Sequence, residues 1–151
     1  MYNYWYPPAR AANRDILIVS QRKEQLKVTP QGAPVIFHGD RDKLHQLFIN
    51  LIDNAIKYNH DIDGRLDIIL LNKKSSICII VSNSGPTIPK EDIPQLFKQF
   101  YRVEKSRSQA YGGAGLGLTI AKRIVDLHGG SIEVTSENNY SSFTITLPNR
   151  S

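Results

Sequence analysis

A chain of 151 residues, 40% hydrophobic and 22% charged, fits one globular domain long enough to bury a core. Its longest apolar run, Ile77 to Val81, is strand length and too short for a membrane-spanning helix. The aromatic start, Met1 to Trp5, lacks the basic flank and apolar run of a secretion signal. The net charge of +5 is scattered along the chain and no nucleic-acid motif accompanies it, so no nucleic-acid partner is expected. A polyanionic small molecule such as a nucleotide would be served by a few local cations. The single cysteine, Cys78, excludes an internal disulfide. Inside its apolar run it reads as buried core rather than a reactive thiol.

In chain order, residues 1–8 hold three tyrosines, a tryptophan and a Pro-Pro pair and read as an irregular leader to a single domain over 9–151. Ala12, Ile16 and Val19 recur at helical spacing, which predicts a helix over Ala9 to Arg22. Leu26 and Val28, then Val35 to Phe37, read as short strands joined by a turn containing Pro30, Gly32 and Pro34. Asp40 is a competent N-cap for a helix whose stripe is Leu44, Leu47, Phe48, Leu51, Ile52 and Ala55, ending near Asn59. Leu66 to Leu71 and Ile77 to Val81 read as central strands. Pro89 to Tyr101 reads as a short helix, followed by a polar, basic loop to Gly113. A further helix, Leu116 to Leu127, is stopped by Gly129 and Gly130. Ile132 to Thr135 and Ser142 to Leu147 are the last strands. Helices and strands do not alternate strictly, which predicts an α+β sandwich rather than a doubly wound sheet.

Three segments carry chemistry. Asn50, Asn54 and Lys57 are spaced i, i+4, i+7 and share one helix face. Asparagine is a poor interior helix former. An amide oxygen, however, can ligate a hard cation such as Mg²⁺ without adding charge beside a polyphosphate, and Lys57 would meet phosphate as a point charge. A merely solvated polar face remains the alternative. The segment Val81-Ser82-Asn83-Ser84-Gly85-Pro86-Thr87-Ile88-Pro89 places a polar side chain and a fixed turn at a strand end, where a base can be read by hydrogen bonds; alone, it also fits an ordinary turn. Gly112-Gly113-Ala114-Gly115-Leu116-Gly117-Leu118 precedes a helix. Its glycines would let backbone N–H groups approach phosphate, yet it matches neither the Walker nor the dinucleotide pattern.

Taken in order, these segments resemble the boxes of the histidine-kinase catalytic domain, within the ATPase superfamily that also contains Hsp90, gyrase and MutL. Asn50 to Tyr58 resembles the N box. Val81 to Pro89 resembles the G1 box, Leu96 to Arg102 the F box, and Gly113 to Ala121 the G2 box. The likeness runs from about Leu26 to Pro148. It implies a two-layer α/β sandwich, a mixed sheet on three helices, that binds ATP and Mg²⁺. By resemblance, Asn54 and Asn50 hold the metal and Asn50, Lys57 and Arg102 are catalytic. Tyr58 packs on the nucleoside and Lys105 assists Arg102 at the γ-phosphate. The backbone of Gly113, Gly115, Leu116 and Gly117 lines the phosphate tail, while Asn83, Gly85, Ile88, Tyr101 and Leu118 complete the nucleotide site. Phe97 and Phe100 would anchor a lid between Pro89 and Gly113.

Two positions depart from the pattern. Asn83 stands where the family has an aspartate that accepts from the adenine amino group; an amide accepts without charge assistance. Thr87 replaces a glycine and so removes backbone freedom. None of His38, His45, His60 and His128 lies in a phosphoacceptor motif. The resemblance therefore implies transfer of the γ-phosphoryl group to a histidine on a separate dimerisation domain, and onward to a response regulator. The domain would be a cytoplasmic, monomeric part of a membrane-anchored parent. Ser136 to Phe143 is similar to vancomycin-resistance sensors. The rivals are a superfamily ATPase of another branch and a degenerate module that binds nucleotide or a partner without turnover.

Overall fold

The computed structural model describes residues 3–5, 27–31, 35–99, 101 and 117–149. Helix α1, Arg41–Lys57, begins where the Asp40 carboxylate accepts from the Asp42 and Lys43 N–H groups, each at 3.1 Å. Those bonds satisfy two of the donors that a helix start leaves orphaned. The Lys43 N–H foremost holds the Asp40 carboxyl below its ordinary value. The expected stripe is buried in full, from Leu44 to Ala55, and Ile56 joins it. Helix α2, Gly117–Leu127, buries Ala121, Ile124 and Val125. It stops at Gly129, whose φ of 70° favours glycine. His128 ties the two helices. Its Nδ1 lies 2.8 Å from the Ile124 carbonyl and so donates, while Nε2 accepts from the Asp40 N–H at 3.2 Å.

Seven strands are described: β1 Asn3–Trp5, β2 Lys27–Gln31, β3 Val35–Phe37, β4 Arg65–Asn72, β5 Ser76–Ser84, β6 Ser131–Glu137 and β7 Tyr140–Pro148. Five form a sheet in the order β2-β4-β5-β7-β6, with β2 parallel to β4 and every other pair antiparallel. The sheet is therefore mixed, as expected, and α1 and α2 share one core with it. The helix expected over Ala9 to Arg22 lies outside the described residues. Among the described residues no helix is long and apolar enough to cross a membrane.

Three expectations change. The leader contains a strand, β1, which pairs antiparallel with β3 from Asn3 opposite Phe37 to Trp5 opposite Val35. Pro30 lies inside β2 rather than in the following turn; β2 is an edge strand, where a missing donor is tolerated. Pro89 to Tyr101 does not form the expected helix: among its described residues only Ile93–Gln95 make a 3₁₀ turn. Its backbone bonds span three residues, as in Gln95 N–H to the Asp92 carbonyl at 2.9 Å. Pro94 has no N–H, and its ring disfavours the α conformation of Ile93.

Alternation along the strands sets the site. Facing the helices, Leu70, Ile79, Ile145 and Ile132 make one cross-strand row, and Ile68, Val81, Phe143 and Val134 the next. One step further the row becomes Leu66, Asn83, Ser141 and Ser136. Three polar side chains are thus buried at one end of an otherwise apolar face. Cys78, between Ile77 and Ile79, is buried on the opposite face.

Candidate functional site

A cavity of about 280 Å³ lies over that polar row. Asn54 and Tyr58 reach it from the C-terminal part of α1, Asn83 from the end of β5, and Ser141 and Phe143 from β7. Leu118 comes from the first turn of α2, and Pro86 to Pro89, Asp92, Leu96 and Tyr101 complete the wall. A buried polar group must be bonded or it costs on the order of 1–3 kcal/mol, so the partners of each one indicate what it is free to do. The Asn83 amide donates from Nδ2 to the Ser84 carbonyl at 2.9 Å. That bond fixes the amide orientation, since a carbonyl only accepts. The Asn83 carbonyl oxygen is then the acceptor left for a ligand.

The end of α1 is tied to the same strand end. Asn59, fully buried, donates to the Arg65 carbonyl at 2.8 Å and accepts from His60 N–H at 2.9 Å and from the Ser84 hydroxyl at 2.6 Å. Ser84 in turn accepts from Arg65 N–H at 2.8 Å. Gly85 has φ 148°, and a Cβ there would lie 2.1 Å from the Tyr58 carbonyl oxygen. Asn59 was not singled out from the sequence, although a polar residue just past an amphipathic helix was visible. Ser136 and Ser141 were also missed. Their signal was the period-2 continuation of Ile132–Val134 and of Leu147–Ile145–Phe143 into serine. Across the cavity, the Tyr101 hydroxyl donates to the Asp92 carboxylate, a bond that raises the phenol above its ordinary value.

The other end of the cavity is less committed. Asn54 lines it, and Asn50, one turn earlier, has a buried Nδ2 with no partner. Lys57 is not among the lining residues; it pairs with Asp53 at 2.8 Å, one turn back along α1. An i,i+4 ion pair on a half-exposed face is worth only about 0.3–0.5 kcal/mol, so a polyanion can draw the lysine away. Gly117 opens α2, and among the described residues a Cβ there would meet open space. Core packing therefore does not demand glycine at that point. Among the described residues no three His, Cys, Asp or Glu side chains cluster as a metal site. The amides of Asn50 and Asn54 fit a hard cation whose remaining ligands are phosphate and water.

The structure thus brings together Asn54, Tyr58, Asn83, Ile88, Tyr101 and Leu118, with Gly85 beside them. Asn50 and Lys57 are not among the lining residues. Arg102, Lys105, Gly113, Gly115 and Leu116, like Phe100, lie outside the described residues.

A cavity between an asparagine-bearing helix and a strand end, on a mixed sheet backed by helices, is the arrangement expected of a class of ATPase domain. Residues 39–151 match the family described as histidine kinase-, DNA gyrase B-, and HSP90-like ATPase, and the chain belongs to it. It is 42% identical over 116 residues to the signal transduction histidine-protein kinase ArlS of Staphylococcus epidermidis, covering 76% of this chain and 25% of that protein. It is also 42% identical over 110 residues to the sensor protein VanS of Enterococcus faecium, covering 73% and 28%. The likeness to VanS therefore does not stand apart from that to ArlS. A solved mycobacterial sensor histidine kinase, MprB, superposes with a TM-score of 0.77 at 27% identity, covering 96% of this chain and 97% of that one. The chain is a catalytic, ATP-binding domain of the histidine-kinase kind, and it spans about a quarter of the length of the curated relatives it matches.

Proposed function

We propose that this domain binds ATP together with Mg²⁺ and presents the γ-phosphoryl group to a histidine carried by a separate dimerisation domain, for onward transfer to a response regulator. The observation that carries the reading is that Asn54 of α1 and the free carbonyl oxygen of Asn83 meet in one cavity. The adenine amino group donates to Asn83, Tyr58 packs on the nucleoside, and the phosphates run toward Asn50, Asn54 and the start of α2 at Gly117. Mg²⁺ offsets phosphate charge. Lys57 leaves Asp53 to do the same, and Arg102, with Lys105 behind it, reaches the γ-phosphate from the lid segment. Gly113, Gly115 and Leu116 line the phosphate tail through their backbone. The work of the domain is then positioning and charge neutralisation, with little covalent chemistry of its own. The parent protein is proposed to be anchored in the membrane with this domain on the cytoplasmic side.

Titration of the chain with ATP, with and without Mg²⁺, tests the site. Asn54→Ala is expected to weaken Mg-ATP binding roughly 10- to 100-fold, the range for a contact to a charged group, and to erase the Mg²⁺ dependence. Metal-independent binding by the parent chain would remove the assignment of the α1 face. Transfer is tested separately. Alone with labelled ATP the chain should form no phosphohistidine, whereas added dimerisation domain should become labelled. Sound ATP binding without such labelling would leave the degenerate module as the better reading.

A further inference from the structure

The loop that follows β5 is fastened to the β6–β7 turn in part through the Thr87 hydroxyl, which the nucleotide reading does not use. Strands β6 and β7 are joined by Asn138 and Asn139, both left-handed with φ of 51° and 59°, the conformation of a tight two-residue hairpin turn that asparagine tolerates. Both main-chain polar groups of Asn139 are committed to the loop. Its carbonyl accepts from Gly85 N–H at 3.0 Å, and its N–H donates to the Thr87 hydroxyl oxygen at 2.8 Å. One residue on, Ile88 N–H donates to the Ser136 hydroxyl oxygen at 2.8 Å, and Ser136 shares a 2.8 Å hydrogen bond with Ser141 on the cavity floor. Residues 85 to 88 are therefore held at three successive points, with Pro86 between them removing further freedom. Thr87 is exposed to solvent, so water would satisfy its hydroxyl without this contact. It is also not among the residues with positive φ, so a glycine's backbone freedom goes unused there.

Building on the nucleotide site proposed above, we propose that Thr87 is a positioning residue for the base-binding end. Its hydroxyl clips the 85–88 loop to the β6–β7 turn, so that Asn83, Ile88 and Ser141 stand in their ligand-ready arrangement before nucleotide arrives. A loop ordered in advance loses less conformational freedom on binding. The replacement of glycine by threonine then supports affinity rather than eroding it.

The test uses the full 151-residue chain and compares Thr87→Val, which keeps the shape without the acceptor, with Thr87→Ser, which keeps the hydroxyl, and with Thr87→Gly. ATP and ADP affinities are measured by calorimetry, and amide exchange at Asn139 and Leu51 by NMR. Thr87→Val is expected to weaken both nucleotides about 3- to 10-fold, the scale of one net hydrogen bond. Thr87→Gly should weaken them at least as much, and Thr87→Ser should stay within about 2-fold of the parent. Exchange at Asn139 should quicken in the valine and glycine chains alone, with Leu51 in the core of α1 unchanged. The clip is overturned if either variant binds ATP as tightly as the parent, or if Asn139 exchange does not respond. Absence of ATP binding by the parent chain would overturn the nucleotide site and this role with it. Binding by the parent with indifferent variants would remove this role alone.

Discussion

The two ends of the cavity are built on opposite principles. At the end proposed to take the base, Asn83, Ser84, Asn59, Ser136 and Ser141 are buried, and hydrogen bonds among these residues and the neighbouring backbone hold each of them. On the face of α1 proposed to meet phosphate, Asn50 carries a buried amide nitrogen with no partner, and Lys57 is paired with Asp53. Neutral dipoles can be locked in place by their neighbours and still offer one free lone pair, as Asn83 does. Groups that must answer a polyanion and its metal cannot be satisfied beforehand without competing with them. In the proposed site, preorganisation is therefore cheap where a base would be read and is withheld where charge would be handled.

The strongest way to break the base end is Gly85→Ala. Its Cβ would strike the Tyr58 carbonyl at a backbone angle that favours glycine. We expect a loss of at least about 2–3 kcal/mol of stability, together with nucleotide binding, read by thermal melting and ATP titration. A smaller effect separates two forces at Asn83. Asn83→Asp restores the charged acceptor, which by itself would tighten binding by about 1 kcal/mol. It also turns the 2.9 Å bond to the Ser84 carbonyl into two opposed acceptors, at a cost of about 1–3 kcal/mol for a buried group. The second effect prevails, so ATP should bind more weakly and the melting temperature should fall; tighter binding would show that the amide is not locked.

At the phosphate end, Asp53→Asn releases Lys57. Stability should change by less than about 0.5 kcal/mol, while Mg-ATP affinity rises about 2- to 4-fold, because the lysine no longer exchanges partners. An unchanged affinity would place Lys57 away from the phosphates. The smallest effect lies on the outer face of the sheet. Burial, reinforced by donation to the Asp67 carboxylate, pushes the Tyr140 phenol up to about 12 from its ordinary 10.0. The folded state then holds that proton more tightly than the unfolded chain. The stabilisation is complete below pH 10 and is lost as pH rises toward about 12. Tyr140→Phe should flatten this alkaline limb of the stability curve without altering ATP affinity.

Much of this was legible in residues alone. The N-cap at Asp40, the stripe of α1, the stop at Gly129 and the paired apolar strands follow from local periodicity and capping, because those patterns report a neighbour three, four or two residues away. The order of the four boxes marked Asn54, Tyr58 and Asn83, which the structure brings to one cavity. Where local rules competed, the reading slipped. Pro94 interrupts the segment read as a short helix over Pro89 to Tyr101, and an edge strand accepted Pro30.

What the sequence by itself determined is the set of chemical groups: amides on one face of α1, a polar strand end before Gly85, and glycines before α2. What only the tertiary structure decided is how those groups are partnered. Asn83 is bonded to Ser84, Lys57 to Asp53, and Thr87 to a turn that is 52 residues away in sequence. Ser141 of β7 reaches the cavity, with Ser136 of β6 bonded behind it, because the antiparallel register sets Ser141 opposite both Asn83 and Ser136. A side chain's type is a local property of the chain. The donor that reaches its lone pair is set by the register of strands distant in sequence, and that register is settled when the shared core packs.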